Sequence, residues 1–520
     1  MTPRQRWTLV ATIIGSGAVF LDGTIVNVAL PRIGRELPAS MVGVLEGQTY
    51  IVSGYLAVLA ALLILAGALS DHYGRRRVFA IGLASFAVAS ALCGLAPTME
   101  WLIVFRLMQG GAGALLVPGS LALISGCFEG AERGRAFGIW AASTSALTLI
   151  GPLVGGLLVD TIGWRFAFLV NVPILAFALW VTIVRVEESA DLDTSSRFDW
   201  LGSLVAALAV GGLSIGLIRG QELEWQDPFA WAALVTGVIA LIAFPILMAT
   251  RRDPLVPLDL FRSRSFSTIN LSTFFVYGAL YVTLSYQGLV LQNVLGYTAL
   301  AAGAASLPMG ICLSLLSTRV GTVAGRIGAR PFVVIGPLVM AGGLLWYTRL
   351  PVDSDPWLAT FGDPSTLVPP VSALVDVLPA VLLYGIGISL VVAPLTSTLM
   401  GSVPGRLAGL GSAINNAISR VGQPLVGAVI FIVVSAGFYA TLGTLATGLD
   451  VGSEATRRAF PPLNPPDAAA TADQVAAANA ASMSAFHQAM FVAVALLVVG
   501  ALVNWYGLRE QSSVPEPAAA

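Results

Sequence analysis

Of the 520 residues, 56% are hydrophobic and only 11% charged, whereas soluble domains carry roughly 25% charged residues, so lipid must be the solvent for most of the surface. A net charge of −1 offers no global field for nucleic acid, and all 27 basic residues are arginine, a compositional bias with no functional content of its own. The three cysteines (Cys93, Cys127, Cys312) are odd in number, far apart and set in apolar segments, which implies neither a disulfide framework nor a metal site.

A membrane-spanning helix needs about 20 mainly apolar residues. Taken in chain order, the sequence offers fourteen: 8–30, 48–70, 77–97, 101–126, 136–159, 165–185, 200–218, 228–250, 266–291, 299–321, 331–348, 374–396, 408–437 and 485–508. The opening "MTPRQRW" before an apolar run superficially resembles a signal peptide. The run is too long for one and leads straight into further spans, so it reads as a retained first helix. Fourteen is even, which puts both termini on one side. With that side cytoplasmic, 18 arginines fall in cytoplasmic segments, seven outside and two (Arg106, Arg420) within spans, as the positive-inside rule requires. The expected location is the plasma membrane, multi-pass, with both termini inside. Segment 187–199 reads as a charged cytoplasmic linker. Segment 438–484, rich in Gly, Ala and Pro, reads as a mobile external loop with a short helix near Ala468–Ala481.

Two intramembrane charges stand out. Translocon scales put an aspartate at the centre of a membrane helix at about +2.5 to +3.5 kcal/mol, yet Asp22 lies inside the first span. It is eight residues from the outer end, about 12 Å deep, and Arg106 in the fourth span is about 8 Å deep. A buried acid beside an arginine can load and release a proton when that arginine moves, so Asp22 is the expected proton carrier and Arg106 its partner. No other carboxylate lies well inside a span, since Glu46 and Asp376 are at outer ends. Two arginines share the interior with that single acid, which disfavours dicationic cargo and favours neutral, zwitterionic or anionic amphiphiles. Thr273, Tyr277 and Tyr281 in the ninth span, and Ser412, Asn416, Arg420 and Gln423 in the thirteenth, form polar stripes. Asn27, Tyr277, Tyr281, Asn416 and Arg420 are the candidate cavity residues.

The chain also repeats itself. "GALSDHYGRRRVFAIG" (67–82) lies over "GTVAGRIGARPFVVIG" (321–336) without gaps. Gly67/Gly321, Gly74/Gly328, Arg76/Arg330, Ile81/Ile335 and Gly82/Gly336 coincide, each stretch linking two spans on the cytoplasmic side. Two six-helix halves, 1–186 and 266–508, with an inserted helix pair at 200–250, a loop at 251–265 and a tail at 509–520, then account for all spans. Parallel halves around a central site are one transporter plan. In the loop motif, Gly67 and Gly74 would let backbones approach closely, and Asp71 can pair with Arg75 or cap a neighbouring helix N-terminus, whose dipole favours an anion, so that the cluster latches one gate state; Arg76 completes the cluster. In "GPLVGG" (151–156), Pro152 bends the helix. Gly151 and Gly155 would give a flat face for packing across the halves, with Gly156 beside them.

These stretches resemble the major facilitator superfamily and, within it, the 14-span drug:proton antiporters (EmrB/QacA type). The resemblance is carried by "LDGTIVNVALP" (21–31), "GALSDHYGRRR" (67–77), "RLMQGGAGA" (106–114), "GPLVGG" followed by "WRFAFLVNVP" (164–173), "PLVPLDLFRSRSF" (254–266) and "GLGSAINNAISRVGQPL" (409–425). It implies an all-α polytopic membrane protein of the major facilitator fold, two six-helix bundles plus two extra helices. It also implies a non-enzymatic, proton-coupled exporter of amphipathic small molecules, with "GPLVGG" tied to exchange. Expected partners are the substrate, protons and the bilayer, with no nucleic acid and a monomeric working unit. No cofactor is expected, the proton gradient being the energy source. Export of a dedicated lipid, siderophore or peptide-like metabolite is the alternative. A membrane enzyme would need clustered carboxylates, His pairs or a nucleophile motif, and a channel would need symmetric rings; the sequence offers neither.

Overall fold

The computed structural model describes residues 1–188, 199–252, 254–403 and 407–508, leaving out the side chains of residues 68, 71, 130, 131, 134, 145, 408 and 409. Most of the linker, the tail and the Asp71 carboxylate thus lie outside the described residues. Fourteen helices are long and apolar enough to span a membrane, and among the described residues the only β-type pairing is an isolated bridge, Thr360 to Asp363. The first half comprises α1 (Pro3–Glu36), α2 (Val44–Tyr73), α3 (Arg75–Gly94), α4 (Met99–Cys127), α5 (Gly130–Thr161) and α6 (Phe166–Arg185). The inserted pair is α7 (Trp200–Glu222) and α8 (Pro228–Thr250). The second half comprises α9 (Arg264–Val294), α10 (Ala299–Ile327), α11 (Arg330–Tyr347), α12 (Ala373–Gly401), α13 (Ala408–Leu445) and α14 (Ala472–Gly507).

The halves repeat their packing. In the first, α1 packs on α5 and α6, α2 on α4, and α3 on α4 and α6; in the second, α9 packs on α13 and α14, α10 on α12, and α11 on α12 and α14. The corners at the repeated sequence are equivalent too. Gly74 and Gly328 both adopt left-handed backbone, φ 101° and 93°, which a side chain would strain. Two residues on, Arg76 donates to the carbonyls of Thr182 and Ile183 at the end of α6, and Arg330 donates to the carbonyl of Trp505 at the end of α14. Each arginine satisfies orphan carbonyls and meets the negative end of a helix dipole. Gly67 differs from the expectation: a Cβ there would meet Pro118 at an ordinary 3.7 Å, so no close approach needs it.

Helix α7 lies against α2 of one half and α13 of the other, while α8 packs on α7 alone among the long helices. Backbone meets backbone in that pair, since Cβ atoms on Gly216 and Gly237 would fall 2.6 Å and 2.4 Å from main-chain nitrogens opposite.

The helices overrun their apolar cores, and this corrects the reading of 438–484. Helix α13 continues to Leu445 and α14 begins at Ala472, where Thr471 and Gln474 form a capping box. The supposed short helix near Ala468–Ala481 is the first turns of α14. Between them, a short helix (Glu454–Ala459) leads into a buried turn, Phe460 to Asn464. Four prolines in "PPLNPP" fix the backbone of this turn, so its composition signals rigidity rather than mobility. We call 446–471 the strap.

Candidate functional site

Asp22 is fully buried between α1, α4 and α6. Arg106 Nη1 donates to its Oδ2 at 2.5 Å, and Gln109 Nε2 and Asn171 Nδ2 donate to its Oδ1 at 3.0 and 3.3 Å. Arg106 is itself held by the carbonyls of Ile51 (3.1 Å) and Gln109 (2.7 Å) and lies 4.0 Å over the Tyr55 ring. A buried charge pair is tolerable only when hydrogen bonds satisfy its remaining atoms, and this cluster supplies them. Gln109 and Asn171 were overlooked in the sequence although both stand inside quoted motifs, Gln109 one helical turn from Arg106.

A cavity of about 410 Å³ lies between the halves. Asn27, Tyr277, Tyr281, Asn416 and Arg420, the five candidate residues, all line it, with Phe20, Thr24, Gln287 and Asn415 beside them. Asp22 and Arg106 do not. Asp22 lies on a side of α1 that does not line the cavity, where Arg106 of α4 meets it, so the buried pair and the cavity are separate sites sharing one helix. The polar stripes also divide: Ser412, Asn416 and Arg420 reach the cavity, but Thr273 accepts from Asn415 (2.9 Å) within the second half.

On the face away from the N-terminus, the cavity is closed by contacts between the halves. Asn27 accepts from the Ser285 hydroxyl (3.0 Å), Gln292 donates to the Val28 carbonyl (3.0 Å), and a Cβ on Gly288 would stand 3.0 Å from the Asn27 carbonyl. Helix α5 meets the start of α10 backbone to backbone. A Cβ on Gly156 would fall 2.4 Å from the Ala299 carbonyl oxygen, and one on Gly303 2.2 Å from that of Pro152. The assignment of Gly151 and Gly155 to this contact is corrected: they face α1 of their own half, at Thr24 and Ile25. Gly156 lies 100° further round the helix and crosses between halves. Asp160 adds a cross-half cap, its carboxylate accepting from the amides of Ala299 (3.2 Å) and Leu300 (2.7 Å) at the N-terminus of α10. The strap completes the closure. Asn464 and Gln48 exchange two hydrogen bonds of 2.9 Å, and Asn293 donates to Asn464 at 3.1 Å, joining α2, the strap and α9.

Towards the N-terminal face the halves part. The cavity reaches Ser314 on α10, Leu399 near the end of α12 and Ser412 near the start of α13, on that side. The structure is therefore closed on the far face and open on the face bearing the N-terminus.

Two facing bundles that repeat one packing pattern around a central cavity are a plan found among membrane transporters. The sequence profile of the Major Facilitator Superfamily matches residues 12–427. The multidrug resistance protein Stp of Mycobacterium tuberculosis is 37% identical over 447 residues, 85% of this chain and 78% of that protein. The puromycin resistance protein pur8 of Streptomyces alboniger is 33% identical over 443 residues, 84% and 82% of the two chains. Among solved structures, a bacterial homologue of the human lysosomal transporter Spinster, inward-facing and unoccupied, superimposes with TM-score 0.61 at 18% identity, over 98% of this chain and 97% of that one. The chain belongs to the Major Facilitator Superfamily: it is a membrane transporter, not an enzyme.

Proposed function

We propose that the protein is a proton-coupled exporter of amphipathic small molecules, working by alternating access with Asp22 as the proton carrier. The observation that supports this reading is the double duty of α1. One of its faces holds the buried acid against α4 and α6, while the opposite face lines the cavity and, at Asn27 and Val28, closes the far gate against α9. When Asp22 is ionised, three donors hold α1 to its own half. Protonation removes the charge that Arg106 neutralises and loosens that hold, freeing α1 to shift relative to α9. Arginine placement supports a cytoplasmic open face; in this reading cargo enters from the cytoplasm or inner leaflet of the plasma membrane and leaves outside. Relatives named for multidrug and puromycin resistance support efflux as the direction. The transporter works as a monomer, without a cofactor.

The test is proteoliposome transport of a fluorescent amphiphile under an imposed pH gradient. Wild type accumulates it, whereas Asp22→Asn loses gradient-driven accumulation but still exchanges labelled for unlabelled compound. Undiminished accumulation by Asp22→Asn removes Asp22 from the coupling.

A further inference from the structure

We propose that Arg420 is the anchor for an anionic head group, so that the cargo is an amphiphile carrying a carboxylate or comparable oxyanion. This rests on reading the central cavity as the cargo site. Arg420 is the only ionisable lining residue, tyrosines aside, and no carboxylate lines the cavity among the described residues. The side chain is only 5% exposed, and its Nε finds no hydrogen-bond partner. The Phe20 ring lies 5.6 Å from its guanidinium carbon. Asp22, the one acid set well inside a span, is already held by Arg106, Gln109 and Asn171.

By the rise of a helix, Arg420 lies about 18 Å along α13 from Ala408, well within the membrane. A charge at that depth normally pairs with another or with backbone carbonyls, and among the described residues this one does neither. A guanidinium suits an oxyanion because its planar donors match a carboxylate two by two and it sheds water more readily than an ammonium. The surroundings divide as an amphiphile requires. Asn27, Gln287 and Asn416 offer neutral hydrogen-bonding groups, while Leu280, Met309 and Leu313 supply an apolar wall. A cationic head would meet the repulsion of Arg420 there with no acid to answer it, only the rings of Phe20, Tyr277 and Tyr281.

Three dansyl compounds separate head-group charge from the shared apolar body: dansylglycine (carboxylate), dansylamide (neutral) and dansylcadaverine (ammonium). Their binding is read by fluorescence on purified protein in nanodiscs of zwitterionic lipid at neutral pH, with empty nanodiscs subtracted. Wild type is expected to bind dansylglycine about tenfold or more tightly than dansylcadaverine. Arg420→Gln should bring the three affinities to within about threefold of one another, with Arg420→Lys between. Should the glutamine variant fail to fold, competition on wild type decides: octanoate displaces dansylamide and octylamine does not. Equal affinity for the three compounds in wild type, a preference for dansylcadaverine, or an anion preference that survives in Arg420→Gln overturns the proposal. No gradient is applied, so failure of proton coupling at Asp22 with the anion preference intact would sink the coupling mechanism alone.

Discussion

The Asp22–Arg106 pair is held from three helices and sealed from the cavity, so its two members should fail differently. Arg106→Ala leaves a buried carboxylate with two amides in place of a cation, and removing one partner of a buried pair costs about 3–5 kcal/mol. The expected outcome is a clear fall in melting temperature of the detergent-solubilised protein, and an unchanged melt would show that the pair contributes nothing to stability. Asp22→Asn keeps the shape and one acceptor oxygen, although its amide NH2 faces one of the donors that the carboxylate accepted from, and Arg106 keeps the Gln109 and Ile51 oxygens and the Tyr55 ring. It should therefore melt closer to wild type than Arg106→Ala does. Asp22 and Arg106 were legible from the sequence because a charge in an apolar run is conspicuous. Gln109 and Asn171 were not, since a neutral amide in a membrane helix costs little and announces nothing. The side of α1 that Asp22 occupies was equally hidden, because the polar residues of α1 are spread around the helix rather than gathered on one face.

Between elements, the far gate is a set of small contacts that should weaken one at a time. Asp160→Ala removes the cross-half cap on α10 and leaves the Thr298 cap in place; a cap is worth about 1 kcal/mol, which is about a fivefold shift of the gate equilibrium towards opening. Asn464→Ala removes the amide exchange with Gln48 and should shift it in the same direction. The readout is the rate at which a cysteine placed at Tyr281 reacts with a membrane-impermeant maleimide from outside. Both variants should react faster than the Tyr281→Cys parent, and equal rates would show that neither contact holds the gate. Gly156→Val should do more, because its side chain would have to enter the Ala299–Leu300 backbone. The "GPLVGG" stretch was visible as a packing motif, but the partner of each glycine was not. Positions 151 and 155 share one face and 156 another, and only the neighbours show which face crosses between halves. The strap was misread for a related reason: its prolines and alanines lack hydropathic pattern, while its order comes from fixed backbone angles and one buried asparagine.

For the whole molecule, hydropathy, arginine placement and the repeat at 67–82 and 321–336 were enough to expect fourteen helices in two halves, because lipid allows few alternatives to a helix. Orientation is testable directly. In a cysteine-free background, a cysteine at Arg262 should be modified only from the cytoplasm and one at Phe361 only from outside; the reverse pattern would invert the topology. Both positions are well exposed. The conformational state was not legible, because the same sequence must support both the closed and the open far face. That far face has a consequence for the cell's energy supply. Where Gly156 meets Ala299 and Gly303 meets Pro152, main chain touches main chain with no room for even a methyl group, and hence none for a file of water along which protons could hop. A carrier that rests with such a dry seam can wait for cargo under a standing proton gradient without short-circuiting it. The glycines of α5 and α10 thus protect every other process that draws on the same gradient.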